Sequence, residues 1–227
     1  MPRDDFVPPE CSFAAFDGRP WVGQGDIYRD VECIESVDYD IGTGTVSESK
    51  LMFPLAVVLG QECDLLSDAA MRLPDPPPGR SHPATSGQAL LSVLMTPLYN
   101  SELFFEGQHC SGVVESLFLG STSTLPSSTP VGGSSSNSGE RLSIRKGLNE
   151  RYQFLHFGVD TPLVDCVIDF KHYFSVSSKY LLCSRSQCVG QIGSIFREAI
   201  SQRFGFYLAR IALPDGTQPV TVSCPAP

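Results

Sequence analysis

The chain has 227 residues, of which 41% are hydrophobic and 18% are charged, so it is long enough to bury a hydrophobic core. Its formal net charge of -9 disfavours non-specific binding to nucleic acid, which depends on clustered Lys and Arg, although a local basic patch leaves RNA open as a partner. The N-terminus has no apolar segment of signal-peptide length, and no run of about eighteen apolar residues occurs, so we predict a cytoplasmic protein with no membrane partner.

Proline and acidic residues are frequent in residues 1–20, and we predict an irregular segment there. We assign residues 21–214 to a single domain and residues 215–227 to a C-terminal tail. Within the domain, residues 120–139 are rich in Ser, Gly and Thr. Such a composition cannot bury enough apolar surface to offset the entropy of ordering, so we predict a flexible insertion.

Several segments have the alternation or the β-branched and aromatic content of β-strands. Residues 51–60 are almost continuously apolar, which predicts a strand buried on both faces. Together the segments predict a sheet of about five or six strands, formed by residues 25–31, 51–60, 89–99, 151–157 and 163–170.

The C-terminal region changes to helical periodicity. From Ile192 onward, apolar residues recur at spacings of three and four until Pro214, which predicts a helix. Steps of about 100° per residue place Arg203 and Arg210 inside the apolar stripe of this helix. The proline-rich residues 74–83 predict an exposed loop.

A polar cluster follows the apolar strand directly and is the first candidate site: Gln61, Glu62, Cys63 and Asp64. We predict that Gln61, Glu62, Asp64 and Arg203 bind a ligand. Glu62 and Asp64 would share one face of a continuing strand, but two carboxylates alone make a weak cation site. We therefore expect neither a metal nor a cofactor.

The arginine in the helix stripe has two interpretations. In the first interpretation, Arg203 forms a structural ion pair with Asp64 or Asp169, because a buried charge is usually paired. Alternatively, its guanidinium points into a cleft beside Gln61, Cys63 and Asp64, where it would bind a carboxylate or a phosphate with two hydrogen bonds.

Cysteine chemistry offers a further candidate. A catalytic Cys63 would need a neighbouring base, and the acidic residues on both sides of it disfavour a thiolate, so packing is the favoured role.

Cys183 and Cys188 are separated by four residues, and His109 and Cys110 could complete a zinc site, although adjacent strand residues point to opposite faces. We expect most of the eight cysteines to be free thiols.

Three segments resemble, in their order, strands of the MazF/PemK-type toxins, which are small SH3-like barrels that cut RNA: residues 25–28, 53–59 and 93–99. The match covers about a third of the chain. In that family, an Arg before the proline of the buried strand and a Thr or Ser two residues after the proline of the later strand carry cleavage. Here Phe53 precedes Pro54, and Tyr99 is the second residue after Pro97, so both catalytic positions differ from the family pattern.

The polar cluster and the C-terminal helix are also similar to those of uncharacterised bacterial proteins that share this barrel. The resemblance implies a mixed β and α fold: a bent antiparallel SH3-like barrel from about residue 21 to residue 170, with the Ser-rich insertion and a C-terminal helix packed across it. It associates the chain with a toxin–antitoxin or phage-defence setting.

These observations favour a non-catalytic binding or accessory module of a bacterial system, which recognises a protein or a small anionic ligand. The acidic composition and the two changed catalytic positions favour binding over catalysis. An RNA endonuclease with relocated catalytic groups is the first alternative, and a thiol-dependent enzyme using Cys63 is the second. The candidate catalytic residues are Cys63, Asp64 and Arg203.

Overall fold

A computed structural model of the chain describes residues 11–82, 86–110 and 138–209. Most of the predicted insertion, the C-terminal tail and Arg210 lie outside the described residues.

The described strands form two antiparallel sheets. The larger sheet has six strands in the order β1-β9-β2-β3-β4-β8, and the smaller has three in the order β5-β7-β6. The strands are β1 (Phe13–Ala14), β2 (Asp26–Asp40), β3 (Thr45–Val58), β4 (Ser92–Pro97), β5 (Tyr99–Asn100), β6 (Tyr152–Leu155), β7 (Cys166–Asp169), β8 (Phe174–Ser177) and β9 (Cys188–Ile192). The mixed α/β class and the antiparallel pairing are confirmed, and neither sheet closes into a barrel within the described ranges.

Five helices join or cover the strands in the described part of the chain. They are α1 (Glu62–Arg72), α2 (Ser101–Phe105), α3 (Ser138–Arg145), α4 (Ser178–Cys183) and α5 (Ser194–Ala209). The predicted C-terminal helix corresponds to α5 and is confirmed, with Ile200 and Phe204 buried against the strands. It begins after Gly193 because Ile192 belongs to β9.

Helix α1 was not predicted. The interpretation of Glu62 and Asp64 as alternating positions of a strand is wrong, because both residues lie in the first turn of this helix. Their carboxylates are favourable there, since the N-terminus of a helix carries a partial positive charge. Leu65 and Ala69 are one helical turn apart and face the core.

The predicted strand at residues 51–60 is part of a longer hairpin formed by β2 and β3. The expectation of burial on both faces holds for Ala56, Val57 and Val58 but fails for Met52 and Pro54, which are exposed. The reason is that the hairpin leaves the body of the protein beyond the paired residues Val31 and Phe53.

The N-terminal segment from residue 11 to residue 20 packs against the body. Strand β1 pairs with β9, and the Arg19 guanidinium lies 2.6 Å from the Asp26 carboxylate, which is fully buried. Arg185 approaches the second carboxylate oxygen at 2.8 Å. Burial raises the pKa of Asp26, and the two guanidiniums oppose this shift. This network links the N-terminal segment to β2 and to the segment that precedes β9.

The proline-rich loop is exposed as predicted through most of its described length, from Pro74 to His82, although Pro77 is buried. His82 hydrogen-bonds the carbonyl oxygen of Ala70 at 2.7 Å. The loop is therefore anchored at the C-terminal end of α1, opposite the end that carries the predicted polar cluster.

Candidate functional site

The predicted polar cluster lies at the start of α1. Gln61 is the residue before the helix, and Glu62 accepts a hydrogen bond from the backbone N–H of Gln24 at 2.6 Å. The Arg197 guanidinium of α5 lies 3.9 Å from the same carboxylate oxygen. Glu62 is thus committed to contacts within the protein, which reduces its capacity to bind an external ligand.

Cys63 and Asp64 are exposed at this helix start. The Cys63 sulfur lies 3.8 Å from the side-chain oxygen of Gln61 and 3.6 Å from a carboxylate oxygen of Asp64. These neighbours are acceptors, and none of the described histidines hydrogen-bonds this thiol. An adjacent carboxylate would repel a thiolate, so the contacts give no support to Cys63 as a nucleophile.

Arg203 does not form either predicted ion pair. Its guanidinium donates to the side-chain oxygen of Gln153 at 2.9 Å and to the carbonyl oxygens of Gly147 at 2.7 Å and Asn149 at 2.6 Å. The predicted pairing with Asp64 or Asp169 is therefore wrong. The helical position was right, because the side chain is half-buried, but carbonyl oxygens accept its hydrogen bonds and Glu150 contributes Coulomb attraction.

Helix α5 nevertheless reaches the polar cluster through residues that precede Arg203. Arg197 donates to the carbonyl oxygen of Gln24 at 3.3 Å in addition to its contact with Glu62, and the Gln24 side chain hydrogen-bonds Ser201. The structure therefore brings Gln61, Glu62, Cys63 and Asp64 together at one helix end and places Arg203 elsewhere.

A second polar cluster, which the sequence patterns did not single out, lies beside the smaller sheet. Asp169 is buried and is bound by Arg151 through two contacts, Nε to Oδ1 at 2.8 Å and Nη2 to Oδ2 at 2.5 Å. His172 Nδ1 lies 3.8 Å from Asp169 Oδ2 and 2.9 Å from the Tyr99 hydroxyl. Burial raises the pKa of Tyr99, so this hydroxyl stays protonated near neutral pH.

An apolar pocket of about 260 Å³ adjoins this cluster. Phe53, Pro54, Pro97, Tyr99 and His109 are among its lining residues. Burial, with a smaller contribution from the neighbouring His172, lowers the pKa of His109 to about 4. Burial also raises the pKa of the Cys110 thiol, which hydrogen-bonds Tyr99. The pocket therefore presents neutral groups near neutral pH, which suits an uncharged occupant and gives no activated nucleophile.

The outer part of the β2–β3 hairpin projects from the body as a two-stranded arm, residues 32–52. Beyond Tyr28 and before Ala56, the described residues place no further strand beside either edge of the hairpin. The arm turns at residues 41–44, where Gly44 adopts a φ of 67° and Asp40 accepts a hydrogen bond from the Gly42 N–H at 2.8 Å.

One face of the arm carries apolar side chains. The register pairs Tyr39 with Val46 and Val37 with Glu48, and directly paired residues of antiparallel strands share a face. After the irregularity between Ile34 and Ser36, the same face continues with Ile34 and Met52. More than half of each apolar side chain on this face is exposed: Ile34, Val37, Tyr39, Val46 and Met52.

The arm is also acidic. Lys50 is the only basic residue between positions 32 and 52, and its ammonium lies 3.2 Å from Glu32 and 3.3 Å from Glu48. The acidic residues of the arm are Glu32, Glu35, Asp38, Asp40 and Glu48. The arm therefore combines an exposed apolar face with a negative field.

The structure gives no support to a zinc site. Cys183 is exposed whereas Cys188 is buried beside Arg185, and His109 and Cys110 contact Tyr99. No group of three or more His, Cys, Asp or Glu side chains within the described ranges is arranged to hold a metal ion.

No protein-family model matches the sequence, and neither a curated protein nor a solved structure matches the chain significantly. Among the helices of the described residues, none has the length and the apolar content needed to span a membrane.

Proposed function

We propose that this protein is a non-catalytic binding module that recognises a basic protein partner through the arm. The observation that carries this proposal is the row of exposed apolar side chains on one face of the arm, with Val37 and Tyr39 at 57% and 63% exposure. Exposed apolar surface in a contiguous patch is characteristic of protein interaction sites. An antiparallel ribbon whose edges are unpaired can also add a strand from a partner.

The charge of the arm selects the partner. Glu32 and Glu48 lie on the same face as the apolar side chains, so a partner that carries Lys or Arg beside apolar residues would gain both burial and Coulomb attraction. A second copy of this chain is a poorer occupant, because its arm would present the same negative charges. Nucleic acid is disfavoured for the same reason.

A small anionic ligand at the predicted polar cluster has less support. Arg203, which would bind the anion, donates its hydrogen bonds to Gln153, Gly147 and Asn149. The Arg197 guanidinium, which reaches the cluster from α5, is paired with Glu62. The proposal therefore assigns recognition to a protein partner.

We also propose that the fold is related to the SH3-like barrels of MazF/PemK-type toxins, with an open sheet. In support, the strands that carry the resemblance, β3 and β4, are antiparallel neighbours. Phe53 and Tyr99 occupy the positions at which that family carries its Arg and its Thr or Ser, and both line the same apolar pocket. A toxin–antitoxin or phage-defence setting fits a module that binds a basic protein.

An RNA endonuclease is the second candidate, since His109 and His172 lie beside Tyr99, which occupies the position of the Thr or Ser of that family. Burial lowers the pKa values of both histidines, so neither is a cation at neutral pH that could contact a phosphate. We expect no cleavage of single-stranded RNA by the purified protein. Cleavage that is lost in Tyr99→Phe or His172→Asn would overturn the binding-module proposal.

The arm proposal is tested with two labelled peptides, one alternating Lys and Val and the other alternating Glu and Val. Fluorescence anisotropy should show binding of the basic peptide, weakened by added salt because screening reduces the attraction, and no binding of the acidic peptide. The triple variant Val37→Ser, Tyr39→Ser and Val46→Ser should lose most of this affinity.

The matched control changes the opposite face of the arm, with Ser36→Thr and Ser47→Thr, and should bind the basic peptide as the unchanged protein does. Circular dichroism shows whether each variant is folded. Equal binding by the triple variant and the unchanged protein, or equal binding of both peptides, would refute recognition through the apolar face.

A further inference from the structure

A cluster of Cys11, His156 and Asp165 lies apart from the arm and from the predicted polar cluster. His156 follows β6 and Asp165 precedes β7, and the register that pairs Leu155 with Cys166 brings the two residues opposite each other. His156 Nδ1 lies 3.0 Å and 3.1 Å from the two Asp165 carboxylate oxygens.

The carboxylate of Asp165 is itself fixed. It accepts a hydrogen bond from the backbone N–H of Phe157 at 3.0 Å. A carboxylate held in this way orients the imidazole and keeps a proton on Nδ1, so that Nε2 of His156 is left as the basic nitrogen.

Cys11 is placed next to His156 by the backbone. The N–H of Ser12 donates to the carbonyl oxygen of His156 at 2.7 Å, and the Cys11 thiol donates to the carbonyl oxygen of Phe157 at 2.9 Å. Cys11 is exposed, so a reagent in solution can reach its sulfur.

Gly158 leaves a gap between the thiol and the imidazole. A β-carbon at this position would lie 3.8 Å from the Cys11 sulfur and 4.0 Å from His156 Nε2. Gly158 has a φ of 74°, which favours glycine, and the missing side chain keeps open a space that both reactive atoms border. An atom of a substrate can enter this space.

A cleft of about 500 Å³ borders the cluster on the side of His156 and Asp165. It is lined by His156, Gly158 and Asp165, and Thr161, Leu163 and Val164 provide hydroxyl and apolar surface. The cleft is large enough for a small ester or thioester.

We propose that Cys11, His156 and Asp165 form a thiol site that accepts an acyl group from an activated ester or a thioester. For this step the Cys11 thiol turns away from the carbonyl oxygen of Phe157. His156 Nε2 then takes the thiol proton while the sulfur attacks the carbonyl carbon, so a bond from sulfur to carbon forms. The bond from that carbon to the leaving oxygen or sulfur breaks, and His156 returns the proton to the leaving group. Cys11 is the nucleophile, His156 is the general base and acid, and Asp165 is a positioning residue.

The other described cysteines lack this arrangement. Burial raises the pKa values of the Cys110, Cys166 and Cys188 thiols, which disfavours their thiolates. Cys63 is exposed as Cys11 is, but its sulfur contacts only acceptor oxygens in the described structure. Cys63 therefore serves as an internal reference thiol of similar accessibility.

The experiment treats the full chain with p-nitrophenyl acetate and measures acetylation of each cysteine by peptide mass spectrometry. Cys11 should be acetylated at least about tenfold faster than Cys63, and His156→Gln should slow acetylation of Cys11 by about 100-fold, the effect expected of a lost general base. Cys63→Ser should leave acetylation of Cys11 unchanged. Equal rates at Cys11 and Cys63 would overturn the proposal.

Asp165→Asn and Asp165→Glu test the positioning role. Asp165→Asn should slow acetylation of Cys11, and Asp165→Glu, which keeps a carboxylate, should restore part of the rate. A purely structural Asp165 would leave the ratio of Cys11 to Cys63 acetylation unchanged in Asp165→Asn.

A measurement on the unchanged protein covers the case in which a variant fails to fold. Alkylation of Cys11 by iodoacetamide should be faster than alkylation of Cys63 in the same sample. Equal alkylation rates of the two thiols would refute activation of Cys11.

Discussion

The ion pair between Arg151 and Asp169 should contribute more to stability than the other ion pairs of the smaller sheet region, because only one of its partners can reach water. The Asp169 side chain is 2% exposed, whereas 37% of the Arg151 side chain is exposed. The carboxylate also accepts a hydrogen bond from the backbone N–H of Lys171 at 3.0 Å. Loss of the arginine therefore leaves a buried carboxylate with its main-chain donor but without its cation.

The magnitude follows from this asymmetry. Arg151→Met should reduce the free energy of unfolding by about 3 kcal/mol, the lower end of the range for stranding a buried charge, because the Lys171 N–H remains. Asp169→Asn should cost less, about 1–2 kcal/mol, because water can solvate the half-exposed guanidinium. The double variant should be more stable than the sum of the two losses predicts, by about 1 kcal/mol or more.

Urea unfolding followed by circular dichroism measures these differences. The exposed pair of Arg29 and Asp30, whose nitrogen and oxygen are 4.0 Å apart, provides the control, and Arg29→Met should cost less than about 0.5 kcal/mol. Additive losses for Arg151→Met and Asp169→Asn, within about 0.5 kcal/mol, would refute the argument that Asp169 depends on Arg151.

Periodicity predicted the longer elements and failed where two elements meet without a break. Helix α5 and most strands followed from spacing, since each buries a face over several turns or pleats. Helix α1 did have helical spacing at Leu65 and Ala69, but it starts directly after the apolar β3 and is only 11 residues long. The polar first turn was therefore interpreted as the end of the strand.

The partner of Arg203 could not be predicted because its acceptors are mostly backbone atoms. The helical angle correctly indicated a partly buried guanidinium, and a carboxylate was the natural partner to expect. The carbonyl oxygens of Gly147 and Asn149 follow the end of α3, and Gly147 has a φ of 68°. No pattern of side chains reveals that these carbonyls point towards α5.

The arm and the cluster around His156 did leave signals in the sequence. Val37, Asp38, Tyr39 and Asp40 alternate in polarity before a glycine-containing turn, which is the pattern of a hairpin, and an apolar face with no covering segment indicates an interaction surface. The proximity of His156 and Asp165 follows from the pairing of β6 with β7, but it requires the register, which composition does not determine.

Three further changes test the contacts of single side chains. Arg203→Met should destabilise the protein by about 2 kcal/mol, since it removes charge-assisted hydrogen bonds to three acceptors. The loss measured by urea unfolding should be additive with that of Asp64→Asn. Glu62→Gln should lower stability by about 1 kcal/mol in thermal unfolding, because the hydrogen bond from the Gln24 N–H loses its ionised acceptor. Asp64→Asn, in the same helical turn, should cost only about 0.3–0.5 kcal/mol. Equal losses in the two variants would contradict the role given to Gln24. Burial lowers the pKa of His109 from 6.5 to about 4, so between these values the unfolded chain binds a proton that the folded chain does not. Stability should therefore fall as the pH decreases from about 6.5 towards 4, and His109→Phe should flatten that slope in urea unfolding measured over a pH series. Parallel pH profiles of the two proteins, or an imidazole resonance of His109 that titrates near pH 6.5, would show that the folded protein does not exclude the proton.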